Sequence, residues 1–402
     1  MKVGIISNLY PPFVRGGAEV IASLEAKGLK DAWQHVFVIS SKPYRGQSSL
    51  TPSQNEEDGI LVYRFFPLNI FYYLNDFKYP SFIRLLWHFF DIFNIFSYYQ
   101  IKKILEAEKP DAIITHNLMG LGFLLPRLLK KLKIKHLHTL HDLQLATPSG
   151  LILFKQENSF QHTFFKMIGY VKLMRYLFAS PDIVISPSKF LMSYYQKLGF
   201  FPKSKKVVLP NPIKSIKTLK KKASYNLELL FLGQVHSAKG ILELIKSFRD
   251  LPLPGVRLNI IGVGPDLNTA KKLAGADPRI RFFGWLAHHE MLPILSRMDV
   301  LLVPSLCYEN SPTVIYELLA LGVPVLATDI GGVAELIREG KNGWTFPAGD
   351  FKVLNQKILS IYQQKEKLPH LAANCQASVA DYTLDKYIAK ILALLNDESE
   401  NK

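Results

Sequence analysis

At 402 residues the chain is too long for one ordinary hydrophobic core, so two domains of roughly 200 residues each are expected. A composition of 48% hydrophobic and 20% charged residues is globular, and two cysteines, Cys307 and Cys375, exclude a disulfide scaffold and fit a reducing cytoplasm. The 49 Lys and Arg against 33 acids leave a charge of +16, which favours an acidic partner such as nucleic acid, an anionic membrane or a phosphorylated substrate.

Lys2–Ser7 is a predicted strand, and its apolar part, Val3–Ile6, is too short for a secretory signal. Arg15 precedes Gly16-Gly17-Ala18-Glu19, which opens a helix to about Lys30. Paired glycines at a helix start let backbone N–H groups approach a phosphate, although Gly-Gly also serves as a plain turn. His35–Ser40 completes a βαβ unit. Residues 60–105 are crowded with Phe, Tyr and Trp, interleaved with Arg64, Lys78, Arg84, Lys102 and Lys103. This suits a bilayer interface, or equally a pair of core helices with the aromatics turned inward. No RNA-binding signature accompanies it, so nucleic acid is not an expected partner.

Asp111–Thr115 is a strand ending in His116-Asn117, Leu121–Leu132 a helix, and Ile134–Leu140 a strand ending in His141-Asp142. The longest apolar run, Ala112–Pro126, is too short to span a bilayer, so the protein is expected to be soluble or to lie on a membrane. A histidine just past a strand's carboxyl end is placed to meet a ligand, though for His116 a structural hydrogen bond serves equally well. Leu143–Ser180 is a second aromatic-rich stretch, with Lys155, Lys166, Lys172 and Arg175. Asp182–Ser186 is a strand, and Ser188 sits where it can cap the next helix. The nine lysines of Lys197–Lys222, with no acid among them, read as an exposed linker.

The second half repeats this logic. Glu228–Leu232 is a strand, Gly233–Lys239 a loop and Gly240–Phe248 a helix. Lys239 beside that helix start is a cation suited to a diphosphate leaving group. Arg257–Ile261 ends in Gly262-Val263-Gly264, a partial dinucleotide fingerprint lacking its third glycine. Ile280–Phe283 is a strand and Glu290–Ser296 a short helix. Val300–Val303 is a buried strand ended by Pro304-Ser305, and Ser311 as cap with Pro312 first predicts a helix to about Leu321. Gly322 stops it, Pro324–Thr328 is the next strand, and helices follow around Phe351–Lys365 and Leu384–Leu395. Glu309 thus lies in a loop and Glu317 inside the helix, both near a strand's carboxyl end, where open α/β sheets bind ligands. The helix start, with Asn310, Ser311, Pro312 and Thr313, offers unpaired N–H groups to a phosphate. Carboxylates there would accept hydrogen bonds from ribose or hexose hydroxyls, although each alone reads equally as a solvated charge.

Glu309 and Glu317 stand in an E-x7-E spacing, followed by Gly322-Val323-Pro324-Val325 and Gly331-Gly332-Val333-Ala334-Glu335. This ordered block resembles the donor-binding signature of the retaining glycosyltransferases of family 4, which have the GT-B fold. The resemblance implies an α/β protein of two Rossmann-like doubly wound domains facing across a cleft that holds the site. Residues 1–203 would form the acceptor-side domain and 204–379 the nucleotide-sugar donor domain, with a last helix, about 380–402, packing back on the first. It implies that Glu317 holds the ribose, Glu309 the donor sugar or its diphosphate edge, and Lys239 the diphosphate, with Gly16-Gly17 completing that seat. Glu309, Lys239 and His141 would be the catalytic groups. Gly233, Gln234 and Gly264, with Asn310, Ser311, Pro312 and Thr313, would also contact the donor, while His116, His141 and Arg15 would face the acceptor. The run His138-Thr139-Leu140-His141 resembles the family's acceptor-side histidine.

Two departures stand out. The family's G-R-x-x-x-x-K-G loop appears as Gly233-Gln234 through Lys239-Gly240, with glutamine for arginine, and Pro212 replaces the glycine of a P-N-G turn. Arg15 is the first candidate to supply the missing charge. There is no Asp-x-Asp clamp and no zinc spacing, so no metal or other cofactor is expected beside the nucleotide-sugar substrate. The function implied is retaining transfer of a hexosyl group from a nucleotide-sugar to a sugar or lipid-linked acceptor, in cell-surface polysaccharide or glycolipid synthesis. The location implied is the cytoplasm, peripheral on the anionic inner face of the plasma membrane. Two alternatives remain open, namely a non-catalytic sugar- or lipid-binding GT-B subunit, motivated by Gln234, and a GT-B nucleotide-sugar epimerase.

Overall fold

A computed structural model describes residues 1–159, 169–213 and 224–397. The chain divides into two units, Met1–Gly150 with Ser159–Pro212 and Leu384–Lys402, and Leu151–Asn158 with Ile213–Thr383. The division therefore falls after Pro212 and not after residue 203, and residues 151–158 group with the second unit. Lys166, Lys214, Lys217, Lys220, Lys221 and Lys222 lie outside the described residues.

The first unit is built on eight strands: β1 (Lys2–Ile6), β2 (His35–Ser41), β3 (Ser53–Glu57), β4 (Ile60–Phe65), β5 (Ala112–Thr115), β6 (Lys135–Thr139), β7 (Ile183–Ser186) and β8 (Lys205–Val208). Their order is β3-β4-β2-β1-β5-β6-β7-β8, and every pair is parallel except β3 with β4. The winding reverses between β1 and β5, which makes the carboxyl ends of β1, β5 and β6 the place for a ligand. Helix Leu384–Leu395 turns Tyr387, Ile388, Ile391, Leu394 and Leu395 into the core formed by Val3, Ile5 and the inner stripe Ala22, Ala26 and Leu29 of helix Gly17–Asp31. Each such aliphatic side chain contributes roughly 1.5–3 kcal/mol through burial, enough to fix this helix on the unit.

The second unit has six strands: β9 (Leu227–Leu232), β10 (Val256–Ile261), β11 (Ile280–Gly284), β12 (Val300–Val303), β13 (Val325–Thr328) and β14 (Gly343–Phe346). They are all parallel, in the order β11-β10-β9-β12-β13-β14, with the reversal between β9 and β12. Every residue of β12 and β13 is buried, because a parallel sheet is covered on both faces and needs continuous apolar runs.

Several expectations are corrected. Residues 60–65 are neither interface nor helix but β4, whose Ile60 and Val62 enter the core. Helix Ser81–Ile92 buries Trp87 and Asp91, yet Phe82, Phe89 and Phe90 remain 65%, 61% and 56% exposed. An inward-turned core helix is therefore not what this segment forms. The lysine-rich stretch is not simply a linker either, since Lys205–Val208 is the edge strand β8, paired with β7, and Lys205 forms an ion pair with Asp397. Helices Leu267–Ala274 and Leu368–Val379 were not anticipated. No helix among the described residues is long and apolar enough to cross a membrane.

Candidate functional site

At the reversal point of the second unit, β9 and β12 each run into a loop. The β9 loop closes through the short turn Ser237–Lys239 and Gly240, whose φ is +72°. A Cβ on Gly240 would lie 1.9 Å from the carbonyl oxygen of Pro304, so only glycine lets this loop cross the end of β12. Gly264 is a packing residue of the same kind, since a Cβ there would meet the Val235 carbonyl oxygen at 2.3 Å. The partial glycine fingerprint therefore locks the β9 and β10 loops together, and that contact accounts for its glycine.

Lys239 and Glu309 meet where these loops converge, Nζ to Oε2, at 2.8 Å. The other Glu309 oxygen accepts from the Ser305 hydroxyl, and Gly332 N–H donates to the Glu309 carbonyl at 2.8 Å, so the Gly331-Gly332 turn holds the loop. Burial opposes the charge on Lys239, but Glu309, with Cys307 nearby, more than offsets this, and the lysine pKa lies above its ordinary value. Helix Thr313–Ala320 begins one residue later than expected, with Pro312 and not Ser311 at the cap position. The Ser311 hydroxyl instead hydrogen-bonds with that of Tyr316, which leaves the helix start without a side-chain cap. Asn310 precedes it in the same loop. Glu317 is half-buried, its carboxyl takes no hydrogen bond or ion pair among the described residues, and desolvation pushes that carboxyl up to about 7. Gln234 is exposed, and its side chain makes no hydrogen bond among the described residues.

In the first unit, the N–H of Gly16 donates to the Glu19 carboxylate at 2.9 Å, so this group, expected for a phosphate, is already occupied. Gly17 is the first helical residue. Arg15 pairs with Asp76 at 2.9 Å and lies 4.8 Å over the Tyr73 ring, which partly neutralises the charge expected to replace that missing at Gln234. His116 is fully buried, which favours the structural hydrogen bond over the ligand contact, the two readings its sequence position allows. Its Nδ1 lies 2.8 Å from Nε2 of the half-buried His141, the two rings stacking at 5.1 Å. Burial, reinforced by His116, holds the His141 pKa well below the usual value, so the ring is neutral. Asp142 accepts from Asn117 at 3.2 Å and from the N–H of Gln144 at 2.9 Å, while burial pushes its carboxyl up to about 6.

Sequence reasoning missed Glu25, which is wholly buried with its Oε2 3.4 Å from His116 Nε2. A signal was present, because Glu25 stands on the stripe Ile21, Ala22, Ala26, Leu29, and a charge on an apolar helix face must have a buried partner.

Two doubly wound parallel sheets joined in one chain are the GT-B architecture of glycosyltransferases. The solved structure of HepE from Anabaena, in complex with UDP, matches with a TM-score of 0.72 at 18% identity, over 98% of this chain and 99% of that one. Residues 15–215 match the profile described as Glycosyltransferase Family 4 and residues 214–378 that described as Glycosyl transferases group 1, and the chain belongs to this glycosyltransferase family. Among its relatives are an uncharacterized 42.6 kDa protein in the cps region of Klebsiella pneumoniae and the putative colanic acid biosynthesis glycosyltransferase WcaL of Escherichia coli (strain K12). The first is 24% identical over 84% of this chain and 88% of its own length, the second 28% identical over 48% and 51%.

Proposed function

We propose that the protein transfers a hexosyl group from a nucleotide-sugar to an acceptor hydroxyl, with retention of configuration, in the synthesis of a surface polysaccharide or glycolipid. The observation that carries this reading is Glu317, a half-buried carboxyl with no hydrogen bond or ion pair among the described residues, on a helix with an uncapped start at the reversal point that also carries the Lys239–Glu309 pair. A ribose hydroxyl pair would satisfy Glu317, and the diphosphate would draw on Lys239 and the helix N–H groups. These positive groups do what a divalent ion does elsewhere, so the reading requires none. UDP bound to HepE supports a nucleotide-sugar donor, and the colanic acid and cps relatives support a polysaccharide product.

The test is incubation of the pure protein with UDP-, GDP- and ADP-sugars, following nucleotide release and the anomeric configuration of the product by NMR. Slow release from one donor is expected. Binding without turnover of any donor would favour a non-catalytic subunit, and recovery of an isomerised nucleotide-sugar an epimerase. If the loop of Gln234 lies against the diphosphate, Gln234→Arg restores the second cation of the resembled loop and should hold or raise kcat. A large fall in kcat would show that a second cation is not what this loop lacks.

In the same reading the acceptor is lipid-linked and the first unit rests on an anionic bilayer. The exposed Phe82, Phe89, Phe90 and Phe93, with Arg84 and Lys103 nearby in sequence, support this, since each cation at such a surface contributes about 1 kcal/mol. The protein should sediment with anionic vesicles at low salt and be released as salt rises. Phe82→Ser combined with Phe89→Ser should weaken that binding. Equal recovery in the supernatant with neutral and anionic vesicles at low salt would overturn it.

A further inference from the structure

Three segments of the first unit come together at the amino ends of its strands, away from the carboxyl ends followed by His116 and His141. Helix Leu125–Lys131 leads into β6, helix Tyr170–Phe178 into β7, and residues 199–204 into β8, and these strands are parallel. Between the segments lies a cavity of about 530 Å³. Lys130, Lys172, Arg175 and Lys203 line it, and no acid does. None of these four side chains makes a hydrogen bond or ion pair among the described residues.

Cations in the last turn of a helix ordinarily serve the helix itself, and Lys130 and Arg175 stand in such turns. The other two have no such role. Lys172 lies in the first turn of Tyr170–Phe178, where the dipole opposes a cation, and Lys203 lies outside any helix. A Cβ on Gly199, whose φ is +74°, would meet Arg175 Cζ at 3.0 Å and its Nη2 and Nη1 at 3.1 and 3.2 Å. Distances so nearly equal set the guanidinium face-on against this glycine, so packing holds the group while its N–H edges stay unbonded. Like charges gathered in a concavity repel one another and focus a positive potential, which a bound polyanion relieves. The volume is that of a small-molecule site, and an arginine fork among lysines suits phosphate oxygens. We propose that this cavity is a second ligand site, at the other end of the sheet from His141, for a phosphorylated ligand with two or more negative charges. A soluble diphosphate and the headgroup of a bisphosphate lipid offer the same chemistry to these cations.

The experiment is calorimetric titration with inorganic pyrophosphate at fixed ionic strength, in Lys239→Ala protein, so that the diphosphate seat proposed for the donor does not dominate the heat. Saturable binding is expected to remain there. Adding Lys172→Gln and Arg175→Gln should weaken it at least about tenfold, as the loss of charged hydrogen bonds does. Lys130→Gln with Lys203→Gln should do the same from the other two segments. Lys271→Gln with Lys272→Gln, on helix Leu267–Ala274 of the second unit, should change it little. All six side chains are exposed, so the melting temperatures should stay close to that of the parent protein. A second arm measures sedimentation with phosphatidylcholine vesicles with and without cardiolipin. Binding that requires cardiolipin and falls with the two cavity pairs but not with the control pair, in the absence of pyrophosphate binding, supports the site with a lipid headgroup as its ligand. If neither probe binds, or if binding of both survives the two cavity pairs, the proposal is overturned. Turnover enters neither arm, so failure here is distinct from failure of the transferase assignment.

Discussion

Replacing Lys239 with alanine is expected to lower kcat by about 100- to 1000-fold, the loss seen when one preorganised group facing a developing charge is removed. A departing diphosphate gains negative charge as the glycosidic bond breaks, and Lys239 is the cation that the β9 loop holds at the reversal point of the second unit. Its 2.8 Å contact with Glu309 keeps it in place before substrate arrives, and the crossing at Gly240 fixes the loop behind it. The same change costs little in folding, because Glu309 keeps the Ser305 hydroxyl as a donor and both side chains retain some exposure. Turnover and melting temperature should therefore separate, with a large effect on the first and a small one on the second. A fall of less than about threefold at saturating donor would show that Lys239 takes no part in the chemical step.

Glu317 should show opposite effects on binding and stability. Losing a charged acceptor for two hydroxyls is worth about 1.5–3 kcal/mol, so Glu317→Ala should weaken nucleotide binding roughly ten- to a hundred-fold by calorimetry. In the unliganded protein desolvation raises this carboxyl from 4.5 to about 7, so the folded state binds its proton more tightly than the unfolded state does. Stability from this group is accordingly intact below pH 4.5, declines as pH rises between 4.5 and 7, and stays reduced above that range. The gap corresponds to at most ~3 kcal/mol, and Glu317→Gln should recover part of it, melting higher than wild type at pH 8 but not at pH 4.5. Nucleotide affinity should rise with pH through the same range in the wild type and remain flat in Glu317→Ala. Identical melting temperatures at pH 8, with unchanged affinity, would show an ordinary surface charge.

These positions were legible in sequence where the chain had no freedom to vary. A parallel strand covered on both faces must read as an apolar run, so Val300–Val303 and its loop were placed correctly, and Glu309 and Glu317 with them. Edge elements escaped for the converse reason. Strand β3, with the sequence Ser-Gln-Asn-Glu-Glu, has little to bury, and β8 hides inside a lysine run because an edge strand needs only one paired side. The Ser311 cap failed by one residue, where a competing hydroxyl partner, Tyr316, lies a turn away in the helix. His116, just after β5, could be read equally as a ligand contact or as a structural hydrogen bond, and its burial beside His141 favours the second. The exposed aromatic face of Ser81–Ile92 could not be read from composition, since core and surface helices draw on the same residues.

The helix carrying Tyr387 belongs to the first unit, although Ile213–Thr383 of the second unit lies between it and Pro212. The segment Ile213–Thr383 is thus an insertion, and its two ends run side by side, with Ile213 bridged to Thr383 and its N–H bonded to the Tyr382 carbonyl at 2.7 Å. During synthesis the order of completion is therefore inverted with respect to the sequence. The inserted unit has all its strands and helices once Thr383 has left the ribosome, while the first unit waits, its core open along the inner stripe of helix Gly17–Asp31, until Leu395 follows. A chain ending at Thr383 and released from the ribosome should protect the sheet of the second unit from protease and leave the amino-terminal sheet cleavable, with Glu25 and its histidines last to be enclosed.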